Sequence, residues 1–130
     1  MRVLLIEPDA ARQRVWRIAA AEIGASLEVV ASGRAGVAAL LGGEWDTLIT
    51  AIFMADVDGF EVIDTAKTMC PDTRIVASDR GSLLPMGGQD MLDTALLLGA
   101  DSAIPVPVSA AVAVATLKNL SSVLPLDPRR

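Results

Sequence analysis

Side chains able to do chemistry are sparse in this chain, and their types limit the chemistry on offer. There is no histidine, which removes the usual general base at neutral pH and the commonest transition-metal ligand. The one cysteine, Cys70, has no imidazole to activate it and no partner for an internal disulfide. Standing before Pro71, it reads as a small half-buried residue. Asp56 and Asp58 lie two positions apart as a pair of carboxylates, but Asp58-Gly59 is also an ordinary signal for a turn entering a helix, and capping is the reading adopted. The segment from 79 to 89 carries Gly81, Gly87 and Gly88, yet no GxGxxG or Walker pattern is present. It reads as a flexible lid or partner-contact loop, longer than the ~2–6 residues usual after a strand.

The elements that must position these residues are legible from hydrophobic patterning. Short apolar runs predict strands near residues 2–6, 26–31, 46–52, 73–78 and 101–105, with helices near 9–23, 33–41, 59–69, 88–98 and 109–120. Asp9, Ser32 and Ser109 stand where N-caps belong, and Gly24 where a left-handed C-cap belongs. Gly42-Gly43 and Cys70-Pro71 end the second and third helices. Val15, Ala19 and Ile23 make a core-facing stripe on the first helix, whereas Arg12, Arg14 and Arg17 are expected to form a solvated face. Trp16 is equally suited to anchoring a partner and to lying half-buried beside that stripe.

Five tightly connected βα units imply an α/β fold: a flavodoxin-like (βα)5 doubly wound parallel five-stranded sheet, strand order 2-1-3-4-5. In such a sheet the crevice opens at the carboxyl ends of strands 1 and 3. Glu7, Pro8, Ala51 and Phe53 are thereby expected together. Residues 1–120 are read as one domain and 121–130 as a short tail expected to fray.

Composition narrows the partners. The chain is 52% apolar with a formal net charge of -5 and no basic cluster before the terminal Arg129-Arg130, which argues against a nucleic-acid footprint. No apolar run approaches the ~20 residues a membrane span requires. No signal-peptide core is recognisable either, so the expected location is the cytoplasm.

Several ordered motifs resemble response-regulator receiver (CheY-like) domains over Val3 to Leu120. Arg2-Val-Leu-Leu-Ile-Glu7-Pro8-Asp9 is similar to the family's first strand with its acidic pair. Asp46-Thr-Leu-Ile-Thr-Ala51 is similar to the third strand, and Asp56-Val-Asp58-Gly59-Phe-Glu to the loop and helix after it. Ile75-Val-Ala-Ser78 matches the fourth strand with its terminal hydroxyl residue, and Leu98-Gly-Ala-Asp101 with Val106-Pro107 matches the fifth strand and its loop.

The departures from that resemblance fall on the chemistry. Ala51 stands where the family has its phosphate-accepting aspartate, and alanine offers no nucleophile. Pro8 replaces one of the acidic pair, leaving Glu7; Ala55 replaces the loop proline, Val106 the lysine and Ala103 the aromatic switch. Ser78 alone keeps its expected type, and without a phosphoryl group it is expected to bond nearby backbone. The two lysines, Lys67 and Lys118, lie too far along their helices to substitute. With one carboxylate left, no metal and no cofactor are expected. Loss of so many members together points to a natural degenerate receiver rather than a single inactivating substitution.

The resemblance also implies a docking or dimer face formed by the fourth helix, fifth strand and fifth helix. Here it would carry Leu92, Leu96, Ala103, Pro105, Val112 and Thr116, and the fifth helix has no charge from Ser109 to Leu117. The expected function is a stand-alone pseudo-receiver, not an enzyme, that signals without phosphorylation through protein contact. Its partner would be a histidine kinase, phosphotransfer or regulatory protein, or a second copy. A phospho-receiver with another acceptor, or a small-ligand or nucleotide module at the crevice, are the alternatives.

Overall fold

The structure is a computed structural model that describes residues 1–79, 88–106 and 108–123. Strands β1 (Arg2–Ile6), β2 (Ser26–Val30), β3 (Thr47–Ala51), β4 (Arg74–Asp79) and β5 (Ser102–Pro105) alternate with helices α1 (Ala10–Ile23), α2 (Gly33–Gly42), α3 (Gly59–Met69), α4 (Gly88–Leu98) and α5 (Ala110–Val123). All strand pairs are parallel, in the order β2-β1-β3-β4-β5. The predicted sheet order therefore holds. Helix α5 runs to Val123, so the boundary expected at 120 falls inside it.

The caps form as the local signals require. Asp9 and Ser32 accept from the backbone N–H groups of Arg12 and Ala35, and Ser109 from that of Val112. Each replaces a bond that the first helical turn leaves unmade. Gly24 ends α1 with φ 74°, a conformation that costs a glycine little and most other residues more.

The pleat sorts strand residues onto two cores. Leu4, Ile6, Leu48 and Ile75 pack with Leu40, Val62, Ile63, Leu92 and Ala95 from α2, α3 and α4. Val3, Leu5, Ile49 and Val76 pack on the other side with Trp16, Ala19, Ala113 and Leu117 from α1 and α5. Burial of each large side chain contributes about 1.5–3 kcal/mol. Trp16 is 1% exposed, so it serves the core and is not a partner anchor. Cys70 is half-buried and its Sγ lies 3.7 Å from the Leu40 carbonyl, in agreement with a structural role. No helix among the described residues is long and apolar enough to cross a membrane.

Candidate functional site

At the carboxyl ends of β1, β3 and β4 a cleft of about 260 Å3 is lined by Glu7, Pro8, Asp9, Arg12, Ala51, Phe53, Ser78, Asp79 and Val106. The register explains the meeting. Ile6 pairs with Thr50 and Ala51 with Ser78, so Glu7 just past β1, Ala51 at the end of β3 and Ser78 near the end of β4 lie at one level. Gly59 allows the start of α3 to lie directly against this edge, since a Cβ there would collide with the Ala51 carbonyl oxygen.

Five of the six residues predicted for the pocket line the cleft: Glu7, Pro8, Ala51, Ser78 and Val106. Ala103 does not; it packs against the α2–α3–α4 core on the other side of the sheet. Neither lysine lines the cleft. Ala51 is 7% exposed, and its methyl leaves the end of β3 without a nucleophile.

Arg12 corrects the expectation of a wholly solvated arginine face. Arg14 and Arg17 are exposed, but Arg12 is turned back onto the cleft. Its Nε donates to Glu7 Oε1 at 2.9 Å, and its NH1 lies 3.9 Å from Asp9 Oδ2. The second Glu7 oxygen accepts from the Asp9 backbone N–H at 3.0 Å, while Gln13 Nε2 donates to the Glu7 carbonyl at 2.7 Å. Glu7 is 2% exposed, and a buried carboxylate requires such partners.

Ser78 is a second correction. Its Oγ is buried without the backbone hydrogen bond expected of it, which leaves the hydroxyl available to whatever enters the cleft. Hydrophobic patterning ends the fourth strand at Ser78 and gives no sign of Asp79. The strand continues by one residue and carries Asp79, 3% exposed, into the lining.

The metal that receivers imply does not fit this donor set. Both Glu7 oxygens are engaged, one of them by a cation, and no group of three potential ligands occurs among the described residues. Asp56 and Asp58 act as caps. Asp58 accepts from the Glu61 N–H at the start of its own helix. Asp56 reaches across to the N-terminus of α2, where it accepts from Gly33 and Arg34. The Arg34 N–H, then that of Val57, holds the Asp56 carboxyl below its ordinary range.

On the α4–β5–α5 face the assignments divide. Leu92 is 4% exposed and belongs to the core, a correction with a simple cause: at that helical position the side chain points at the sheet. Leu96 and Val112 are exposed by 44% and 46%. Pro105 is exposed at the end of β5, and Thr116 is half-buried with its hydroxyl donating to the Val112 carbonyl. Leu97, which was not singled out, is 87% exposed. The signal was present, since three consecutive leucines, 96 to 98, cannot all face inward from one helix. Of the glycine-rich segment predicted as a lid or contact loop, residues 80–87 lie outside the described residues.

No family model matches the chain. The transcriptional regulatory protein TcrA of Mycobacterium tuberculosis is 34% identical over 62 residues, 48% of this chain. The match covers 24% of TcrA, so the chain corresponds to about a quarter of that protein's length. Among solved structures, a response-regulator receiver domain protein (CheY-like) from Methanospirillum hungatei JF-1 superposes with a TM-score of 0.81 at 20% identity, covering 93% of this chain and 94% of that one. A two-component response regulator from Clostridium difficile gives 0.82 at 16% identity, covering 95% and 98%. A Francisella response-regulator receiver domain gives 0.81 at 15%, also covering 95% and 98%. The fold is that of response-regulator receiver domains.

Proposed function

We propose that the chain is a pseudo-receiver of two-component signalling, acting in the cytoplasm by phosphorylation-independent protein contact and without enzymatic activity. The observation that carries this reading is Ala51 at the acceptor position of a cleft whose remaining first-strand carboxylate is already paired with Arg12. A phosphoryl group would find no nucleophile at position 51 and no lysine at position 106 to receive its charge, since Ala51 and Val106 line those edges. Contact with a histidine kinase, a phosphotransfer or regulatory protein, or a second copy would use Leu96, Leu97 and Val112 with Pro105 and Thr116. The cleft is smaller than the ~300–1,000 Å3 common for ligand pockets, which weighs against the small-ligand alternative.

A phospho-receiver with a different acceptor remains the second reading because Asp79 lines the same cleft. Incubation with acetyl phosphate and Mg2+, followed by intact-mass measurement, separates the two. The expected result is no adduct on the wild type, and none on Ala51→Asp, in which Pro8 and Val106 still withhold ligands. A stable adduct mapped to Asp79, Asp56 or Asp58 would reject the phosphorylation-independent reading.

A further inference from the structure

The position of Arg12 is unusual on electrostatic grounds. It lies in the first turn of α1, where the helix dipole disfavours a cation, and no acidic residue occupies that turn to offset it. The compensation comes from outside the helix, through the Nε contact to buried Glu7 and the NH1 approach to the capping Asp9. The pair is also asymmetric: Glu7 is 2% exposed and Arg12 26%. A carboxylate in that position is costly without a counter-charge, whereas the arginine reaches solvent along one side. The Glu7 backbone is held by its carbonyl to Gln13 and its side chain by Oε2 to the Asp9 N–H, so turning the carboxylate out to water would forfeit the bond to Asp9.

We infer that Arg12 is the resident counter-cation of the cleft, a positioning residue that holds Glu7 and locks α1 to the sheet edge in place of a bound divalent ion. The guanidinium occupies the carboxylate oxygen that an ion would need. It thereby makes the cleft indifferent to magnesium in the wild type. Removing it leaves the Glu7 carboxylate buried without its counter-charge in a cleft that Asp9 also lines, a setting that a hard cation keeping most of its waters can neutralise through that one carboxylate. This inference rests on the pseudo-receiver reading only in placing the cleft. It stands or falls on stability, not on phosphorylation, so an adduct at Asp79 would sink that reading and leave this one intact.

The test is a thermal-unfolding cycle of wild type, Glu7→Gln, Arg12→Gln and the double variant, each with and without millimolar MgCl2 against NaCl of equal ionic strength. Wild-type Tm should not change with Mg2+. Arg12→Gln should lose roughly 10 °C and recover a substantial part of it in MgCl2 but not in NaCl. The double variant should lie above Arg12→Gln and show no Mg2+ response, because the unpaired carboxylate is gone. Arg12→Lys, which keeps the charge, should retain Mg2+ indifference and serves if Arg12→Gln does not fold. Additive effects around the cycle, a Mg2+ response in the wild type or Arg12→Lys, or no rescue of a folded Arg12→Gln would each overturn the inference.

Discussion

The cleft at the carboxyl ends of the strands and the α4–β5–α5 face treat their side chains in opposite ways. In the cleft, charged groups answer one another: Arg12 pairs with Glu7, and the turn N–H of Asp9 takes the other oxygen. On the face, Leu96, Leu97 and Val112 are left in water. A group that seeks the Glu7 carboxylate must displace Arg12 from it. Anything covering the face gains about 25 cal/mol for each Å2 of apolar surface removed from water. The two regions therefore offer different contacts, apolar area on the face and polar groups in the cleft.

Core truncation beneath the face should give the largest effect. Leu92→Ala removes a buried side chain from the core beneath α3 and α4, and is expected to cost roughly 2–5 kcal/mol in urea unfolding. A cost under about 0.5 kcal/mol would return Leu92 to the surface and blur the contrast between what the helix buries and what it presents.

Leu96→Glu and Val112→Glu sharpen the same contrast from outside. Both positions are nearly half exposed, so each variant should stay folded with stability within about 0.5 kcal/mol of wild type. Sedimentation or light scattering should show that self-association of the wild type, where it occurs, is lost in both, since a charge buried in an apolar interface is costly. Unfolding of both would assign these side chains to the core instead.

The smallest effect is electrostatic and belongs to neither region. Backbone N–H groups, that of Arg34 first, lower the folded-state pKa of Asp56. The charged form is thus favoured on folding, and its contribution is fully present above the unfolded value of about 3.9. It is lost as pH falls through the depressed folded value. Asp56→Asn should slightly lower stability at neutral pH and flatten the acid limb of a stability–pH curve below about pH 4. An unchanged limb would mean that the cap on α2 contributes nothing measurable.

Much of this architecture was written locally. Strand and helix positions followed from runs and periodicities, and Asp9, Ser32, Gly24 and Ser109 marked helix ends because a cap needs only a side chain or a free φ within a few residues. The strand order followed from five short βα connections, and the crevice from the strand order. Ala51, Pro8 and Val106 line that crevice, each being set at a strand end or in the loop just beyond it.

What only the tertiary structure decided concerns direction. Arg12, Arg14 and Arg17 are alike in sequence, but only Arg12 lies above a buried carboxylate once α1 docks on β1. Leu92 and Leu96 share a helical spacing, yet the approach of α4 to the sheet buries the first and leaves the second nearly half exposed. Asp79 enters the cleft because β4 continues one residue further beside β5, and the Ser78 hydroxyl is left without the backbone partner expected of it. Amino-acid type and spacing set the elements and their order, since those depend on bonds between near neighbours. The partners of a long or charged side chain depend on how whole helices settle against the sheet, and that is fixed by packing across the entire domain.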